Sequence, residues 1–211
     1  MKETMKVIEA ISQLKIQEDR IARAINDLTP VAANRISAKK VNGLDPKEFN
    51  DRAKSAYDSA SKLLDRYIAL KEAVNEFNAA TKINVNGTEM SVASAIYLKS
   101  YGIEQKKSFL EYLTKCLRAA EKKVETENGP KLDDAAERNA KQNFEGDQKS
   151  DKAEYLKFLE DYREKNQYVL IDPLNLREKI DKLSDEIAKF ESGVDTAIQI
   201  ANATHDITIE Y

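Results

Sequence analysis

His205 is the only histidine of the chain and stands beside Asp206, a pair that could supply half of a metal site or an acid–base couple. Adjacent residues on a strand point to opposite faces, and no second histidine exists to complete a ligand set. His205 is therefore read as a cap or surface residue. Cys116, the only cysteine, would act as a nucleophile only with a base beside it. Its neighbours on the same helical face are Tyr112 and Ala119, so a packed core cysteine fits better. Glu18 interrupts one apolar repeat and Lys99 and Lys106 fall on another, which allows ion pairs buried between helices that fix register rather than catalyse. Asn86-Gly87-Thr88 and Asn202-Ala203-Thr204 match the glycosylation pattern and are read as turn and cap chemistry. There is no phosphate-binding glycine loop, serine elbow or paired-histidine helix. The expectation is a protein that is not an enzyme, with no catalytic residue, metal or cofactor.

The elements that hold these residues follow a four-three rhythm. Phe49, Ala53, Ala56, Ala60, Leu63, Tyr67, Leu70, Val74 and Phe77 form an unbroken coiled-coil seam. Asp45-Pro46 opens that helix as N-cap and first helical residue, predicting a span of 46–79. Val7, Ile11, Leu14, Ile21, Ile25 and Leu28 predict a first helix over 2–28, ended by Thr29-Pro30 and followed by a loop to Leu44. Ser91 opens a third helix, 91–127, with one stripe at Val92, Ile96, Ile103, Leu110, Leu113 and Leu117 and a second at Leu98, Phe109, Tyr112 and Cys116. A helix apolar on two sides reads as central. Asp172-Pro173 opens a fourth, 173–201. The polar stretch 131–167, divided by Gly146, predicts a helical excursion, and Tyr168 to Ile171 reads as extended.

Asn86-Gly87 within Ile83 to Met90 predicts a β-hairpin. Helices two and four end alike, each with an Asn, Asn78 or Asn202, suited to a left-handed C-cap, and an alternating strand after it. Both strands then reach one pole, where the C-terminal strand pairs with the hairpin in a three-stranded sheet. The fold expected is a single domain over 1–211: mainly all-α, an elongated antiparallel four-helix bundle or coiled coil. The hairpin and C-terminal strand cap one end and the excursion lies at the other.

Composition agrees with narrow seams and wide wet faces: 41% of the 211 residues are hydrophobic and 34% charged, against roughly 25% charged in an average globular domain. A net charge of -3 and a pI near 5.5 argue against nucleic acid as a partner. Met1 to Ala10 lacks the apolar core of a signal peptide. The longest strongly apolar run, Tyr168 to Ile171, is far short of the roughly 20 residues a bilayer span needs, so a soluble chain is expected.

Phe77-Asn78-Ala79-Ala80-Thr81, the run from Asn86 to Ile96, and Ala201-Asn202-Ala203-Thr204 resemble the septicolysin-like family of small helical proteins. In that family an Asn-Ala-x-Thr helix end leads to a glycine turn and a threonine-rich and leucine-rich helix start. The closing Asn202 to Glu210 is most similar to phage-encoded members. The resemblance leaves out the 131–167 excursion and the loop after the first helix, and its motifs are structural punctuation rather than chemistry. It implies a non-enzymatic phage structural or accessory protein that works through protein–protein contacts, as a virion component or an assembly or host-interaction factor. The cytoplasm of the infected bacterial host or the virion is the implied location, with other proteins, virion components or further copies of the chain as partners. Two alternatives accompany it. One is a membrane-active cytolysin-like protein, which the family name suggests, although the chain lacks a basic amphipathic segment with aromatic anchors. The other is a small-ligand binder with its pocket around Asn78, Thr81, Asn202 and Thr204.

Overall fold

Asp45 accepts a hydrogen bond from the Lys47 N–H at 2.9 Å, and Pro46 follows with the backbone angle a first helical turn requires. From that start one helix runs for 35 residues. The computed structural model describes residues 1–144 and 152–211; Gly146, read from the sequence as a divider, lies outside them. In chain order the elements are strand β1 (Lys2–Lys6), helices α1 (Val7–Asn26) and α2 (Pro46–Ala80), strands β2 (Lys82–Val85) and β3 (Thr88–Ser91), and helix α3 (Val92–Tyr97). A π-helical turn (Leu98–Gly102) follows, then helices α4 (Ile103–Asn128), α5 (Pro130–Phe144), α6 (Lys152–Asn166) and α7 (Leu176–Thr204), and strand β4 (Asp206–Glu210). The chain is mainly helical, with small antiparallel sheets. It divides into two compact units, Met1–Tyr101 with Lys189–Tyr211, and Gly102–Ala188.

In the first unit, Leu70, Val74 and Phe77 of α2 join Val7, Ala10 and Leu14 of α1, Ile83 and Val85 of β2, Val92 and Ala95 of α3, Val194 and Ala201 of α7, and Ile207 and Ile209 of β4 in one core. Each fully buried aliphatic side chain there, such as Leu70 or Val7, contributes about 1.5–3 kcal/mol. The rest of the α2 seam is shallower. Gln13 bonds Arg66 near the middle of α2, while Asp27, just past the end of α1, lines a cleft with Phe49, Ala56 and Ser59 nearer the start of α2, so the two helices run antiparallel. A helix of 20 residues then cannot reach along one of 35, so the first turns of α2 run past the end of α1, and Phe49, Ala53 and Ala56 stay half-buried.

Four expectations are corrected here. The chain does not begin as helix: Lys2–Lys6 is a strand paired antiparallel with β4, Lys2 opposite Glu210 and Thr4 opposite Thr208. The alternation that puts Glu3 and Met5 on one face serves a strand, and its ladder satisfies both chain segments. Consequently the C-terminal strand does not join the hairpin. Among the described residues β2 and β3 pair only with each other, and two separate ribbons close the same core. The polar residue inside the first seam is Gln17, not Glu18, because the buried phase is Val7, Ala10, Leu14 and Gln17. Glu18 sits outside and accepts from the Tyr67 hydroxyl at 2.7 Å. Finally, Asn78 and Asn202 lie within their helices rather than closing them, and no left-handed residue stands at either end. Thr81 caps α2 in an extended conformation, and α7 continues to Thr204.

The single third helix of the sequence is broken into α3 and α4 by the π turn. The fourth helix starts at Leu176, after a turn in which Asp172 accepts from the Leu174 and Leu176 N–H groups at 3.2 and 2.7 Å.

In the second unit, Lys106 meets Glu186 at 3.1 Å and Arg177 meets Glu121 at 2.5 Å, tying α4 and α7 in antiparallel order. The excursion forms the α5–α6 pair, with a small core of Ala136, Ala140 and Leu159 edged by Tyr155, Phe158 and Tyr162. Arg163 reaches Asp133 at 2.8 Å across it.

Candidate interaction surface

His205 is a cap. Its Nδ1 lies 3.0 Å from the Ala201 carbonyl and 3.1 Å from Thr204 Oγ1, and its ring tilts against Phe77 at 5.4 Å. Its own carbonyl accepts from the Val7 N–H at 3.1 Å, joining the end of α7 to the start of α1. The residues proposed to line a pole pocket have similar work. Thr81 donates its N–H to the Phe77 carbonyl at 2.9 Å and accepts from the Val92 N–H at 3.0 Å. The Thr204 hydroxyl donates to the Ile200 carbonyl at 2.8 Å, and its carbonyl accepts from Lys6 Nζ at 3.2 Å. Asn78 is half-buried one position beyond Phe77. Asn202 Oδ1 is buried and, among the described residues, has no hydrogen-bond partner. Asn86, the other glycosylation-pattern asparagine, spends its amide nitrogen on the Lys189 carbonyl at 2.6 Å and the Ser192 hydroxyl at 2.9 Å.

The lysines expected in buried pairs are on the surface. Lys99 pairs with Asp195 and Lys106 with Glu186, all four side chains well exposed. Such pairs fix register and contribute about 0–1 kcal/mol. The more deeply set ion pair is one the sequence did not announce. Arg66 Nη2 and Nε donate to Glu3 Oε2 at 2.7 and 3.2 Å, and Nη2 also reaches Gln13 Oε1 at 2.5 Å. The Tyr211 hydroxyl donates to the same carboxylate, and its ring lies 5.9 Å from the guanidinium. The Arg66 hydrogen bond, then that from Tyr211, holds the Glu3 carboxyl below its usual range. The same contact with Glu3 raises the Tyr211 phenol above its own.

Cys116 is exposed, which corrects the expectation of a core thiol. The second stripe of the old third helix is an open face of α4: Phe109 is 56% and Tyr112 64% exposed, and Cys116 and Ala119 continue the row at helical spacing. The hydrogen bond with Cys116 raises the Tyr112 phenol. Lys115, Arg118 and Lys122 flank the row, exposed and, among the described residues, without an ion pair. Elsewhere in this unit the Asn128 carboxamide grips the backbone of one residue, accepting from the Tyr168 N–H at 2.6 Å and donating to the Tyr168 carbonyl at 2.7 Å. Val169 and Ile171 beyond it are exposed. Phe109 and Tyr112 thus stand exposed with cations along one side of their row, and aromatic residues and arginine are enriched where proteins meet.

No family model, curated protein or solved structure matches the chain. The surface must therefore be read from its own chemistry. Among the described residues no three His, Cys, Asp or Glu side chains gather as a metal site, and no helix is long and apolar enough to cross a membrane.

Proposed function

We propose that this protein is a non-enzymatic phage structural or accessory component that acts through protein–protein contacts, with its long helices working as an antiparallel coiled-coil bundle. The observation that carries the contact reading is the open face of α4, where Phe109 and Tyr112 stand mostly in water. Leaving two large aromatics exposed forgoes stabilisation that a partner surface restores. The phage assignment rests on the resemblance of Asn202 to Glu210 and of the two Asn-containing helix ends to the septicolysin-like family. Mass spectrometry of purified particles tests the virion role: the chain should be present at a fixed ratio to the capsid or tail proteins. Its absence there despite strong expression removes the virion role and favours an intracellular assembly or host-interaction factor.

A further inference from the structure

The first turns of α2 leave a cleft of about 930 Å³ where they run past α1, within the roughly 300–1,000 Å³ range of binding clefts. Its floor is apolar and small, made by Leu44, Phe49, Ala53 and Ala56. Methyl side chains at two successive seam positions let another helix come close. Its rim is acidic. Asp45 is engaged with the Lys47 N–H and Glu48 with Arg52 at 2.9 Å, whereas Asp27 and Asp51, among the described residues, make no ion pair.

The face of α4 is its chemical complement: an apolar row led by two aromatics, with Lys115, Arg118 and Lys122 alongside. Resting on the contact-protein reading above, we propose that this groove takes the α4 face of a second copy of the chain. Phe109 and Tyr112 enter between Phe49, Ala53 and Ala56, while the lysines and Arg118 meet Asp27 and Asp51. The contact is heterologous, because groove and face are different surfaces, so each copy keeps one of each free for the next and assembly continues as a ring or filament. Two aromatic residues bring about 150–250 Å² each when buried, which places the contact toward the small end of specific interfaces, and assembly is therefore weak and reversible.

Sedimentation velocity across a protein concentration series tests this with three chains: wild type, the groove-filled Ala53→Trp, and the face-stripped Phe109→Ser/Tyr112→Ser. Wild type should grow with concentration beyond a dimer and dissociate in high salt. Each variant alone should remain monomeric, with helicity by circular dichroism unchanged. An equimolar mixture of the two should stop at a one-to-one dimer, since it holds one intact groove and one intact face. A charge exchange adds a second arm: Asp51→Lys or Lys115→Asp alone should weaken assembly at least tenfold, and their mixture should recover it. Wild type that stays monomeric at millimolar concentration, variants that assemble like wild type, or a mixture that stays monomeric would each overturn the proposal. If the wild type is monomeric yet position 112 still cross-links to another protein in cells, the self-assembly falls while the contact reading stands.

Discussion

Asn86 occupies the space that a side chain at Gly193 would need. A Cβ at position 193 would lie 2.6 Å from Asn86 Nδ2 and 2.8 Å from its Cγ, well inside contact distance. The hairpin tip is therefore pressed onto α7 through a glycine, with the Asn86 amide bonded to Lys189 and Ser192. Gly193→Ala should cost about 1–3 kcal/mol in urea unfolding, as overpacked sites do. Because the obstruction is the Asn86 side chain, the penalty should shrink sharply when Gly193→Ala is made in an Asn86→Ala background. An unchanged penalty would mean that the clash is not the cause.

Burial along α2 falls from its C-terminal end to its N-terminal end, and mutational cost should fall with it. Leu70 is 0% exposed and Leu63 only half-buried. Leu70→Ala should destabilise by about 2–5 kcal/mol, and Leu63→Ala by clearly less. Equal losses at the two positions, read from the shift in denaturation midpoint at constant slope, would contradict the packing described.

Gln17 is 4% exposed, and its Oε1 has no hydrogen-bond partner among the described residues. A buried orphan acceptor costs about 1–3 kcal/mol. Gln17→Met, which keeps the length and removes the polar group, should raise stability by about 1 kcal/mol. A loss of stability on this change would show that the amide is satisfied.

Glu3 has a folded pKa below its ordinary 4.5, first through the hydrogen bond from Arg66 and then through that from Tyr211. A depressed carboxylate stabilises the fold fully above its unfolded value and loses that contribution as pH falls below 4.5 through the folded pKa. Tyr211 is the reverse case. Raised above its ordinary 10 mainly by Glu3, it contributes below that value and loses the contribution as pH rises through the folded pKa. Chemical denaturation at a series of acidic pH values should therefore show a shallower decline for Glu3→Gln than for wild type. Superimposable slopes would remove Glu3 from the acid transition.

Much of the helical scaffold is legible in the sequence because its signals are local. Asp45-Pro46 places the start of α2, Asn86-Gly87 places the hairpin turn, and the four-three rhythm marks which face of each helix is apolar. What is not legible depends on distant or covering partners. Lys2–Lys6 is too short a stretch for its alternation to outweigh the helical pattern after it, and its strand partner begins 200 positions later. Rhythm also cannot say whether a stripe is covered: the same spacing describes Leu70 in the core, Ala53 in an open cleft and Tyr112 in water. Gln17 and Glu18 are adjacent, and a one-residue change of phase exchanges which of them is buried. For the candidate site, the stripe from Phe109 to Cys116 was visible, but a helix apolar on two sides suggests a central position. Only the packing reveals that one of those sides is bare.

The contact assignment is tested most directly by site-specific photo-cross-linking in cells that express the chain, with a benzophenone amino acid placed in turn at positions 109, 112 and 125. All three positions are exposed on α4, and Glu125 lies off the aromatic row. The expected result is the same discrete adduct from 109 and 112 and none from 125. No adduct from 112, or an equal one from 125, would contradict a contact made by this face.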